Sequence, residues 1–181
     1  MTAFTIQVSD QAVLAALTRL QNAVEHPQPI MHAIGEGVME RIKERFASAT
    51  GPDGQPWAAN SPVTLARYIA SRGGKNFKKD GSLNKRGQAL ATSKKPLQGI
   101  SGDLARQFHV AATDDSVTIG STMKYAAMQQ FGGTRAEFPN LWGDIPARPF
   151  FPVTADGDLY PQESDLIVAQ LAGYIQGAAA G

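Results

Sequence analysis

The side chains able to hold a metal or attack a substrate are few in this chain and poorly spaced for either task. His26, His32 and His109 fall in no HExxH or HxxxH pattern, the spacing that sets two imidazoles on one helical face around zinc. None of the 181 residues is cysteine, which removes thiolate metal sites, iron–sulfur clusters, disulfides and a cysteine nucleophile together. Gly73-Gly74-Lys75-Asn76 has the look of a phosphate loop, but the glycine five residues before Gly74 is missing and Asn76 stands where a hydroxyl is needed. No serine sits in a Gly-x-Ser-x-Gly elbow. The carboxylate pairs Asp156/Asp158 and Glu163/Asp165 have acid–base or metal-binding chemistry open to them, yet a turn and a helix start already explain them. The expectation is a chain with no catalytic, cofactor-binding or metal-ligating residue, and hence not an enzyme.

What chemistry remains is charge and apolar surface. Seventeen basic side chains nearly balance sixteen acidic ones, but the balance is uneven along the chain. Within Ser71–Lys95, Arg72, Lys75, Lys78, Lys79, Lys85, Arg86, Lys94 and Lys95 face Asp80 alone, a local charge of +7 that leaves −6 for the rest. The stretch has four glycines and no apolar period, so it is read as a flexible basic loop insertion that cannot offset the entropy of its own ordering. It is either a solvated loop or an arm for phosphate, nucleic acid or an acidic protein surface; Phe77, its one aromatic, is weak support for base stacking.

The elements that must carry these groups suit one soluble domain, residues 1–181, with 43% hydrophobic and 18% charged residues. No apolar run approaches the roughly 20 residues of a membrane span, and the first ten residues lack a signal-peptide pattern, so a cytosolic chain is expected. Ala3–Val8 alternates, with Phe4, Ile6 and Val8 on one face, and reads as a strand that should pair in a sheet. Ser9 and Asp10 can cap a helix bearing Val13, Leu17, Leu20 and Val24, stopped at Pro27 and Pro29.

The strongest signal is the stripe Met31, Ile34, Val38, Ile42, Phe46 and Ala49, opposite Glu36, Glu40, Lys43 and Glu44. Gly35 and Gly37 within that helix each cost about 1 kcal/mol against alanine, so a neighbouring helix or subunit is expected to come close there. Gly51–Trp57 is a turn whose indole can pin it to the body. Ser61-Pro62 starts a short helix reaching about Ala70, and Ser101-Gly-Asp103 caps one or two further turns. Phe108–Ala112 and Val117–Gly120, joined by four polar turn residues, read as a hairpin in which Asp114 and Asp115 are turn formers. Tyr125–Phe131 is a short helix stopped by Gly132-Gly133, Phe150–Val153 a short strand, and Glu163–Ile175 a final helix with a tail fraying from Gly177. The order gives an α+β fold, a small antiparallel sheet packed against amphipathic helices with the basic insertion between them.

Arg148, between two prolines and followed by Phe150 and Phe151, makes a rigid apolar loop with one forked donor, suited either to a protein interface or to sealing a domain edge. Pro52-Asp-Gly-Gln-Pro-Trp57, Ser61-Pro-Val-Thr-Leu65, Ser101-Gly-Asp-Leu104, Val117-Thr-Ile-Gly-Ser121, Tyr125-Ala-Ala-Met-Gln-Gln-Phe-Gly-Gly133 and Ile145-Pro-Ala-Arg-Pro-Phe150 then follow one another in a familiar order. From about Met31 to Ile175 the sequence resembles the phage virion morphogenesis family, the Mu-like head morphogenesis and P2-like tail completion proteins. Members often carry Ile-His-Gln where this chain has Met128-Gln129-Gln130, so any role of that histidine does not transfer.

The resemblance implies a structural, non-enzymatic protein of the virion neck or tail end, made in the bacterial host cytoplasm and needed for tail completion and head–tail joining. It implies a homo-oligomeric ring, often six-fold, touching neck, connector or tail-tube proteins and, through the basic insertion, packaged DNA or an acidic neighbour. A ring requires two different patches that meet. The interface candidates are Gly35, Gly37, Trp57, Tyr125, Phe131, Gly132, Gly133, Pro146, Arg148 and Phe150. The alternative reading is a nucleic-acid-binding module built on residues 71–95.

Overall fold

A computed structural model describes residues 10–99 and 101–180. The alternating segment Ala3–Val8 lies outside them. Helix α1 (Gln11–Glu25) opens on the Asp10 carboxylate, which accepts from the N–H groups of Ala12 and Val13 at 2.9 and 3.4 Å, two of the donors a helix start leaves unpaired. Helix α2 (Gln28–Ser48) has no side-chain cap of its own at Pro27. Instead Asp114, in the hairpin turn, accepts from the N–H of Gln28 at 3.1 Å. The turn-forming carboxylate therefore also closes the central helix.

Ile30, Ile34, Val38, Ile42 and Phe46 run down α2 and are buried, each adding about 1.5–3 kcal/mol of apolar burial. Three layers meet on that helix. Trp57, Phe108 and Phe150 gather around Phe46, with Trp57 edge-on at 5.2 Å between ring centres and Phe150 tilted at the same distance, and Phe151 packs on Phe108 and Phe150. Helix α6 (Pro161–Ala180) lays Ile167, Leu171 and Tyr174 against the core. The hairpin of β1 (Phe108–Ala112) and β2 (Val117–Ser121), antiparallel with Phe108 opposite Ser121 and Ala112 opposite Val117, covers Gly35. A Cβ on Gly35 would overlap Val110 and stand 2.8 Å from a Val117 methyl. The close neighbour expected at this glycine is thus the chain's own hairpin.

Helix α3 (Pro62–Ser71) starts where Ser61-Pro62 predicts it, with the Ser61 hydroxyl accepting from the N–H of Thr64 at 3.2 Å. The basic stretch departs from the reading of a loop. It contains helix α4 (Lys85–Ser93), capped by Asn84 on the N–H of Gly87 at 3.0 Å, and a tight return in which Phe77 pairs with Leu83. Side-chain amides supply the order that apolar periodicity does not. Buried Asn76 donates to the carbonyls of Ile69 and Gly73 at 3.0 and 2.9 Å, tying the return to the end of α3.

Two further expectations differ. Phe150–Val153 is not a strand; its backbone bonds go to a side chain, described below, and Val153 keeps one bridge to Leu159. Helix α6 continues to Ala180 instead of fraying at Gly177, because Arg19 of α1 donates to the carbonyls of Ala178 and Ala179 at 3.1 and 3.4 Å. Asp103–Ala105 forms a single 3-10 turn, and Ala126–Phe131 forms α5. Among the described residues no helix is long and apolar enough to cross a membrane.

Candidate functional site

Segments scattered through the sequence close on one place, the backbone from Ile145 to Val153. Gly132, at φ +74°, turns the chain after α5; a Cβ there would lie 2.8 Å from the nitrogen of Ala147 and the carbonyl oxygen of Ile145. Gly133 and Ile145 then exchange two backbone bonds of 2.9 and 2.8 Å, and the N–H of Arg148 donates to Gln129 at 2.8 Å. From the other side the Trp57 indole donates to the Pro149 carbonyl at 2.8 Å. The Arg148 guanidinium reaches back to the carbonyls of Ala58 and Ala59 at 2.8 and 2.9 Å.

Gln130 is buried beneath this clasp and uses both ends of its amide. Its Oε1 accepts from the N–H groups of Phe150 and Phe151, each at 2.8 Å, and its Nε2 donates to Val153 at 3.1 Å and Phe151 at 3.4 Å. The amide thereby replaces a strand partner. Below it, Arg45 donates to the Phe150 carbonyl at 2.8 Å and to Glu163, which also receives Arg41 at 2.9 Å. Glu163 is 3% exposed, so one buried carboxylate joins α6 to two arginines of α2. Burial lowers the Arg45 pKa most, Glu163 opposes that shift, and Arg41 adds to it. Burial alone lowers that of Arg148. Both changes leave the guanidinium groups charged at neutral pH.

Two concavities flank the clasp. A cleft of about 420 Å³ runs past Asn60, Lys94, Tyr125, Trp142 and Arg148. An apolar groove of about 600 Å³ lies between α2, β2 and α6, walled by Ile34, Val38, Val117, Ile119, Phe151 and Ile167.

The phage virion morphogenesis family matches residues 8–164. The chain belongs to that family. No curated protein matches it, and no solved structure does. Membership assigns a part in building a phage virion, within a structural family. Three of the ordered motifs that carry the resemblance, those ending at Trp57, Gly133 and Phe150, supply parts of the clasp.

The interface candidates divide accordingly. Trp57, Arg148 and Phe150 are buried and spend their polar atoms inside the chain, and Gly35 is covered by the hairpin. Gly37 stands against Gln170 of α6, where an added Cβ would lie 3.3 Å from the amide oxygen. Tyr125 and Phe131 are 45% and 49% exposed on the outer rim, with Pro146 exposed and Gly132 and Gly133 half-buried beside them. Trp142, 71% exposed at the mouth of the cleft, was given no role by sequence reasoning; a large aromatic in a loop of glycine and proline was the available signal.

Of the basic residues, Arg72, Lys75, Lys78, Lys79, Lys85, Arg86 and Lys95 are exposed. Lys94 is half-buried and shares the Tyr68 ring with Arg72, the two cations lying 5.1 and 4.8 Å from its centre. Desolvation lowers the Lys94 pKa, with Arg72 contributing in the same direction. Lys95 donates to the Ala47 carbonyl at the end of α2. None of the eight makes an ion pair among the described residues.

Sequence reasoning also missed Gln130 and the Arg41–Glu163–Arg45 group. Gln130 stands in the motif before Phe-Gly-Gly, but a glutamine in a short helix carries no mark of burial. Arg41 and Arg45 are four residues apart on α2 and hence on one face, a signal without a partner until α6 is in place.

Proposed function

We propose that this family member is a non-enzymatic component of the phage neck or tail end. It completes the tail and joins it to the filled head as a closed ring, a form that is often six-fold in proteins of this kind. The observation that carries this reading is the family match together with the use of its motifs. They brace a loop internally, and Tyr125, Phe131, Pro146 and Trp142 are left standing outward around it. Exposed Tyr and Trp on a braced loop are the residue types that anchor protein interfaces. A surface of that kind suits contact between copies or with an adjoining virion protein. The exposed cations of residues 71–95 supply a second, charged contact surface, for packaged DNA or an acidic neighbour.

Native mass spectrometry and negative-stain images of the full chain test the ring. The expected result is one discrete closed oligomer, together with detection of the chain in purified virions. A chain that stays monomeric at every concentration and is missing from virions contradicts the reading. If the monomer instead binds DNA with an affinity that falls steeply with salt, and loses binding when Lys75, Lys78, Lys79, Lys85 and Arg86 are neutralised, the nucleic-acid module replaces it.

A further inference from the structure

Among the described residues the hairpin has an unused edge, and its register says which groups are on it. Thr122 donates to Gln107 and Thr113 to Ser116, so those are hydrogen-bonded pairs of the antiparallel ladder. Bonded and non-bonded pairs alternate. Val117, Ile119 and Ser121 therefore point their N–H and C=O groups away from β1. Among the described residues nothing hydrogen-bonds those outward groups. The same three residues line the apolar groove of about 600 Å³, in which Lys124 is the one charged lining residue among those described. An open edge beside apolar side chains is a template for strand pairing that proteins usually cover.

One segment of this chain fits that edge. Thr2–Val8 has no charged side chain and places Phe4, Ile6 and Val8 on one face at the period of a strand. Extended, its seven residues span about 23 Å, enough to run the length of the five-residue β2. In sequence it leads into Asp10, the cap of α1, whose first turns leave Val13, Leu14 and Leu17 more than half exposed. An arm laid on a second copy would carry these exposed residues onto it.

We propose that Thr2–Val8 of one copy adds a third strand to the outer edge of β2 in the next. Phe4, Ile6 and Val8 fill the groove there, and the first turns of α1 extend the contact. The donor and acceptor patches differ, which is the head-to-tail geometry that closes a ring. The inference rests on the oligomeric reading above and supplies its interface.

Because the chain has no cysteine, cross-linking is free of background. A Gln7→Cys chain mixed with a size-tagged Thr118→Cys chain and treated with a short bismaleimide should give a covalent heterodimer. Both positions lie on the face away from the groove, so neither change alters the packing surface. Adding Ile6→Asp to the first chain should abolish the product and, for that chain on its own, reduce the oligomer to single chains, with the circular dichroism spectrum unchanged. No heterodimer from the mixed chains, or a link formed only within a Gln7→Cys/Thr118→Cys double variant, overturns the proposal. An oligomer that persists through Ile6→Asp overturns the arm while leaving the ring standing. A full-length chain that is monomeric throughout overturns both.

Discussion

Glu163 holds a position out of proportion to its size. Among the described residues it pairs with both Arg41 and Arg45, and Arg41 Nη2 has no hydrogen-bond partner even with it present. Replacing it by glutamine removes the charge and leaves Arg45 desolvated beside Arg41, a like charge. Breaking a buried pair from one side costs about 3–5 kcal/mol. Urea denaturation of Glu163→Gln should therefore show a midpoint shift of that size at unchanged slope; a loss under about 1 kcal/mol would mean that water reaches the site. Gly35 makes a steric test instead. Gly35→Ala has to push the hairpin off α2, because its new methyl overlaps Val110 and crowds Val117. The expected loss is about 1–3 kcal/mol. Gly37→Ala faces the far ends of two long side chains, Gln170 at 3.3 Å and Arg41 at 3.4 Å, and should be neutral or slightly stabilising in the same thermal-melt series.

At the scale of elements, the basic extension shows how a segment without apolar period still takes a defined path. Asn76 and Asn84 cap and tie their neighbours, Asp80 accepts from both the N–H and the hydroxyl of Ser82, and α4 follows. These bonds are local and mostly at the surface, so the extension is the least protected of the elements. Brief trypsin treatment should cut first at Lys75, Lys78 or Lys79, in the return between α3 and α4, with the fragments mapped by mass spectrometry. Arg41 and Arg45 lie within α2 and should resist until the domain unfolds. First cleavage there would contradict both assignments. Helix α2 was legible because one stripe of six apolar residues at helical spacing has no other use. The hairpin was legible to within a residue because two short apolar runs flank a polar four-residue turn. The segment after Pro149 was not. The sequence reading places a short strand at Phe150–Val153, and whether a strand or a glutamine amide satisfies that backbone is decided elsewhere in the chain.

Over the whole molecule, the resemblance read from ordered motifs agrees with the family match over residues 8–164, while the roles first attached to several of those motifs shift inward. Trp57, Arg148 and Phe150 brace the loop, and the aromatic rim around Tyr125 and Phe131 faces outward. Periodicity, caps and turn formers reveal where elements start and stop because those signals are local, a matter of near neighbours along the chain. The α+β class, the central helix, the Ser61 start and the closing glycines at 132 and 133 came from the sequence for that reason. Tertiary structure alone decided which polar groups would be buried together. Glu163 is 118 residues from Arg45, and Arg148 is 90 from Ala58. Pairing across such distances depends on how α6 and the proline loop settle on α2, and no short-range pattern encodes that. The same reason separates Gly35 from Gly37. Both read as helix glycines, and only the hairpin packed on one of them makes a side chain costly there.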